Sequence, residues 1–238
     1  MNTAGGISVG DILNRTTEAI RENVAAVLIF LAITIPATAL SEYLTGGNDM
    51  GFSFGLFLSS EVMAQGVVVV LVVLLEFLLG IIAAYYLTAA MVFGTTAPGF
   101  DRLLAYVGIY LLSILAITFA AFLLLIPAII LGVRWAPLLP IVVQGRCGAT
   151  ESFGEAWRAT SGSSWPIFFA MLVVWVGMMF VAIVFGISSV FGGGTGSITQ
   201  VLASAMIEAI LQVVLIAISV GIFQLVTDKP DDLIATFE

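Results

Sequence analysis

Three ionisable side chains stand inside long apolar stretches of this 238-residue chain: Glu76, Arg134 and Glu208. Glu76 lies among Leu74, Leu75, Phe77 and Leu78, and Glu208 among Met206, Ile207 and Ile210. A charge near the centre of a bilayer costs at least about 2.5–3.5 kcal/mol on insertion scales, so each needs a partner, water or a neutral form. The chemistry on offer is ion pairing and proton exchange. One guanidinium cannot neutralise two carboxylates, so in a Glu76–Arg134–Glu208 cluster one glutamate stays protonated and exchanges a proton. Pro137 and Pro140 follow Arg134, and proline-broken spans leave backbone carbonyls that frame binding sites in transporters. The structural alternative is that Arg134 pairs with one glutamate to fix packing, while the other faces water or a partner subunit. Arg134 at shallow depth would instead snorkel outward and dissolve the cluster.

These residues matter because the rest of the chain is so apolar. Hydrophobic side chains make up 61% of it and charged ones 9%, against about 45–50% and about 25% in soluble domains. The chain reads as an all-α integral membrane protein. It has no histidine and one cysteine, Cys147, which excludes histidine-based acid–base catalysis, the usual zinc sites and an internal disulfide. A net charge of −8 gives no electrostatic basis for a nucleic-acid partner. The glycine run 192–196 lacks the lysine of a phosphate loop, so no nucleotide is expected. No nucleophile–base pair, metal set or cofactor site can be assembled, and the chain reads as a non-enzyme.

A span needs about 20 apolar residues, at about 1.5 Å each through a core of about 30 Å. Six stretches qualify within a single transmembrane domain, 1–238: 23–40, 62–93, 103–126 (closed by Pro127), 128–143, 165–190 and 199–226. The second is over-long and should tilt. The fourth is short and holds Arg134 and two prolines. Arg15, Arg21, Arg102, Arg146, Arg158 and Lys229 fall on one side of a six-span arrangement, which places both termini in the cytoplasm. A five-span arrangement, with 128–143 re-entrant, would split them. The same face is acidic overall, so a polybasic attraction to anionic lipid is not expected. Ala37-Thr38-Ala39 resembles a signal-peptidase site, but the long preceding region with Asp11, Glu18 and Glu22 favours an uncleaved helix.

Two amphipathic helices are expected on the cytoplasmic surface. In 8–22, Ile12, Leu13, Thr16, Ala19 and Ile20 form the apolar stripe. In 150–161, Phe153, Ala156, Trp157 and Thr160 do so, after a Ser152–Glu155 capping box. Trp157, Trp165, Tyr85 and Tyr86 suit the headgroup level as interfacial anchors. Each amphipathic helix leads into a span, and laying Arg15-Thr16-Thr17 on Arg158-Ala159-Thr160 raises a parallel internal repeat. Gly80 and Gly177 are expected to permit close helix approach, and Gln200, Gln212 and Gln224 to bond across helices. Cys147 reads as a passive surface thiol, and the apolar segment 52–58 as lying in the outer interface or covering a bundle opening, with a partner-binding surface as the alternative.

The stretch Ile126-Pro127-Ala128-Ile129-Ile130-Leu131-Gly132-Val133-Arg134-Trp135, then Pro140, then Ser152-Phe153-Gly154-Glu155-Ala156-Trp157-Arg158-Ala159-Thr160 resembles the bacterial YciC-like family. It also resembles the related membrane domain fused to glycerophosphoryl diester phosphodiesterases. The likeness spans about residues 8 to 227 and is distinctive only over 126–160. It implies a six-helix protein of the bacterial inner membrane. The phosphodiesterase chemistry is not expected to carry over, because the chain has no histidine.

Two functions follow. One is a non-catalytic membrane module, a scaffold or accessory subunit packing with lipids, other integral membrane proteins or a second copy of itself. The other is a small transporter or lipid-handling permease working through Glu76, Arg134 and Glu208.

Overall fold

In hydrocarbon every backbone polar group must be satisfied within the chain, so apolar stretches of this length fold as helices. The computed structural model describes residues 7–45, 66–95, 99–191 and 198–227. These hold nine helices and no strand: α1 (Val9–Glu22), α2 (Val24–Thr45), α3 (Val67–Phe93), α4 (Leu103–Leu123), α5 (Leu125–Arg134), α6 (Leu138–Gln144), α7 (Glu151–Ala159), α8 (Ser164–Phe191) and α9 (Ile198–Thr227). Six segments are long and apolar enough to cross a membrane, namely α2, α3, α4, α5 with α6, α8 and α9. The chain is a multi-pass membrane protein. The segments 52–58 and 192–196, and Lys229, lie outside the described residues.

The spans agree with the hydropathy reading except at their ends. The first continues to Thr45 rather than stopping at Leu40, which draws Ser41 and Glu42 into the helix. The third ends at Leu124, in extended backbone (φ −160°, ψ 137°), not at Pro127. Pro127 then occupies the first turn of α5, where its missing N–H has no bond to lose. The fourth span is two helices separated by Trp135-Ala136-Pro137.

α1 is held differently from the expected surface helix. Its stripe is correct, with Ile12, Thr16 and Ala19 buried, but the stripe faces protein rather than lipid. Ile12 joins Val133, Ile167, Ile218, Ile222 and Val226 in one cluster, so α1 is clamped across the ends of α8 and α9. Gly221 permits this crossing: a Cβ there would lie 3.0 Å from the backbone N of Thr16. Gly80 and Gly177, expected to allow close approach, have nothing within 4 Å of a built Cβ. A stripe of apolar residues marks a buried face without saying what buries it.

α7 follows the same logic. Its buried residues are Ser152 and Ala156, followed by Thr160 at the helix end. Ser152 therefore lies inside the helix, and its expected capping box with Glu155 is absent. Glu151 instead accepts from the Gly148 N–H at 3.0 Å, while Glu155 pairs with Arg158. The order amphipathic helix, span, span occurs twice, as α1-α2-α3 and α7-α8-α9. The register that lays Thr17 on Thr160 is displaced by one, because Thr17 is exposed and the buried threonine of α1 is Thr16.

Outward faces of α4, α5 and α8 carry Leu115, Phe119, Phe122, Ile126, Phe169, Val173 and Phe180, all exposed. That is the surface hydrocarbon covers.

Candidate functional site

The break in the fourth span is where backbone is freed within an apolar segment, so its polar groups show what the segment is built to do. Pro137 and Pro140 cannot donate, which ends α5 and restarts the chain as α6. The carbonyl of Ala136 accepts from Ser219 Oγ of α9 at 2.6 Å. The carbonyl of Trp135 accepts from the Leu138 N–H at 3.0 Å, whereas the single Thr160 hydroxyl proton goes to the Ala156 carbonyl at 2.8 Å and only approaches that of Arg134, at 3.3 Å. The Ala136 and Trp135 carbonyls are thus occupied by the chain itself. Gly145, at φ 71°, closes α6 with its carbonyl accepting from Arg102 Nη2 at 3.0 Å, which ties the start of α4 to the end of the broken span.

Arg134 is committed in the same way. Its Nη1 donates to the Trp157 carbonyl at 3.4 Å and to Ser161 Oγ at 3.3 Å. Its guanidinium lies 5.0 Å from the centre of the Trp157 ring, within cation–π range. α5 ends at Arg134, so the side chain reaches α7 rather than the span interior. The expected Glu76–Arg134–Glu208 cluster is not formed. Among the described residues the ion pairs are Arg15–Glu18 and Arg158–Glu155.

The glutamates have other neighbours. Glu208 on α9 interacts electrostatically with Glu76 of α3 and with Glu42 of α2. Glu42 accepts a hydrogen bond from Ser204 Oγ, one turn before Glu208. Gln212 Nε2 donates to Glu208 Oε1 at 3.3 Å, within α9 rather than across helices. Three carboxylates from three spans thus share one region, with Glu208 exposed and Glu42 and Glu76 half-buried. Glu42 escaped the sequence reading because it sat beyond the predicted end of its span. The signal was available: Ser41, Glu42 and Thr45 continue the helical spacing of buried Thr34 and Thr38.

Of the four expected anchors, Trp165 stands exposed in the first turn of α8, with its ring stacked 5.9 Å from Phe169. Trp157 is 41% exposed beneath Arg134. Tyr85 is no lipid-facing anchor, being 2% exposed. Its hydroxyl donates to the Gly99 carbonyl at 2.9 Å and its ring meets Tyr106 edge-on at 5.3 Å, so it pins the α3–α4 connection. Tyr86 is half-buried against the cluster formed by α1, α2, α3 and α9. Both tyrosines turn toward protein, where a phenol can find a partner.

Cys147 lies near Ser152 Oγ at 3.4 Å and is half-buried. No group of three or more potential metal ligands occurs among the described residues. Comparison of the chain with protein-family models, with curated proteins and with solved structures returns no match in any of the three.

Proposed function

We propose that the chain is a non-catalytic multi-pass module of the bacterial inner membrane, a scaffold or accessory subunit that packs with lipids, other integral membrane proteins or a second copy. The observation that carries this reading is the broken fourth span. In a binding site of the transporter kind, the carbonyls at such a break face substrate. Here Ser219 and the Leu138 N–H occupy the Ala136 and Trp135 carbonyls, and Arg134 turns its Nη1 to Trp157 and Ser161. The polar groups of the break serve cohesion between helices.

Glu76 and Glu208 add to it. Neither has a cationic partner among the described residues, and Glu208 is exposed on a spanning helix. A donor from a neighbouring membrane protein would satisfy them. The distribution of Arg and Lys supports cytoplasmic termini. The likeness over 126–160 supports a place beside the YciC-like proteins.

A second reading is favoured by one observation, the approach of Glu42, Glu76 and Glu208. Carboxylates gathered from three spans are the kind of group a proton- or cation-exchanging site uses.

Purification in a mild detergent followed by native mass spectrometry tests the first reading. It predicts a stoichiometric assembly with a second integral membrane protein or a second copy, or a chain carrying phospholipid. A bare, lipid-free monomer that sustains cation uptake in liposomes would overturn it.

A further inference from the structure

Where α1 crosses the bundle, it forms one wall of a cleft of about 280 Å³, just below the usual range of about 300–1,000 Å³ for whole-ligand sites. The other walls are the last turns of α3 and α9 and the end of α6 with Arg146. Because α3 and α9 both end here, the cleft opens at the level where a spanning helix meets headgroups.

Its lining has an uncommon charge pattern. Arg15 and Arg146 supply two guanidiniums, and Glu18 and Glu22 two carboxylates. Only Arg15 and Glu18 pair with one another, at 3.0 Å. Arg146 and Glu22 are exposed and make no hydrogen bond or ion pair among the described residues, and neither do the amides of Gln144 and Gln224. A free guanidinium and a free carboxylate in one small cleft, unpaired with each other, fit a ligand carrying both signs of charge. Val92 and the buried Phe223 add an apolar element to the lining.

We infer that this cleft binds a phosphate joined to a primary ammonium, the phosphoethanolamine headgroup of a zwitterionic phospholipid. Arg146, with the remaining donors of Arg15, takes the phosphate as a fork of N–H groups. Glu22 and Glu18 take the ammonium, and the two glutamine amides complete the hydrogen bonding. Two features exclude neighbouring chemistries. An anionic headgroup would meet two carboxylates on a chain of net charge −8. A quaternary ammonium has no N–H to give a carboxylate and is recognised by an aromatic cage, whereas Phe223 is the one aromatic residue in the lining.

The inference rests on the reading of the chain as a lipid-packing module and names the lipid. It is tested on the full chain in mixed micelles containing equimolar phosphatidylethanolamine, phosphatidylcholine and phosphatidylglycerol of one acyl composition, by native mass spectrometry. Phosphatidylethanolamine should be retained about tenfold over each of the others, the effect of one hydrogen bond between charged groups. Glu22→Gln should lower it to the level of phosphatidylcholine and leave phosphatidylcholine unchanged. Arg146→Gln should lower both about tenfold. Both positions are exposed and unpaired, so thermal unfolding should match the wild type. Equal retention of the three lipids, preference for phosphatidylglycerol, or a preference that survives both substitutions overturns the inference. Soluble O-phosphoethanolamine separates the two sources of the chemistry. Displacement of the lipid assigns the site to the headgroup alone; persistence of the lipid, with both variants still deficient, assigns it to the headgroup on its chains, and each upholds the proposal. Loss of selectivity in a chain that still purifies with a membrane partner rejects this site alone. Cation flux with selectivity intact rejects the accessory-subunit reading alone.

Discussion

Replacing Gly221 by alanine tests how α1 is held. A Cβ at this position would lie 3.0 Å from Thr16 N, 3.1 Å from Thr16 Oγ1 and 3.4 Å from the Arg15 carbonyl carbon. Favourable contacts lie at about 3.5–4.0 Å, so α1 must give way by a few tenths of an ångström. Backbone cannot swing aside as a side-chain tip can. Overpacking of this kind costs about 1–3 kcal/mol. Alanine also gains about 0.8–1 kcal/mol of helix propensity over glycine, which masks part of the loss. Gly177→Ala supplies the control, since Gly177 is exposed in α8 with open space around it. It should show the propensity gain alone. The difference between the variants therefore isolates the packing term, about 1–3 kcal/mol, or several degrees in apparent Tm at about 2–4 °C per kcal/mol. Thermal unfolding in detergent measures it, and hydrogen exchange localises it. Protection should fall across α1 in Gly221→Ala and stay unchanged in α4. Equal stabilisation by both alanines, with α1 protection intact, would refute the crossing at Gly221.

Other predictions concern the broken span and the cap of α1. Ser219→Ala leaves the Ala136 carbonyl without its donor and should cost about 0.5–2 kcal/mol, read as a fall in apparent Tm. Arg134→Gln should loosen α7 by about 1–2 kcal/mol, seen as faster proteolysis between residues 145 and 163, with Arg134→Lys only partly restoring it because the planar fork is lost. The N-cap of α1 should depend on pH. The Ser8 hydroxyl, then the Ser8 backbone N–H, hold the Asp11 carboxyl below its ordinary 3.8. A carboxyl lowered in the folded state contributes fully above the unfolded value and loses that contribution as pH falls through the lowered one. Exchange protection in the first turn of α1 should therefore drop below pH 3.8, and Asp11→Asn should abolish that drop.

The spans were legible in the sequence because a bilayer selects on summed apolarity, which composition reports directly. What lies on each side of a helix is another matter. Ile12, Thr16 and Ala19 mark a buried face equally well whether lipid or α9 buries it. Tyr85 and Tyr86 suit an aromatic belt by residue type and place in the span, yet their rings turn inward, where a carbonyl at Gly99 and a helix cluster receive them. Glu42 was lost to a boundary error of five residues. Arg134 was identified as a residue requiring a partner, but the partner came from a helix 23 residues along the chain rather than from another span. The remaining pair, Glu76 and Glu208, lie near enough to interact electrostatically, without the cation expected between them.

Whether those carboxylates carry ions decides between a packing module and a permease. The chain reconstituted in liposomes with a trapped pH-sensitive dye, under an imposed cation gradient, measures this directly. The account predicts flux equal to that of protein-free liposomes, for the wild type and for Glu76→Gln and Glu208→Gln alike. Flux above that baseline, abolished by Glu208→Gln, would contradict it.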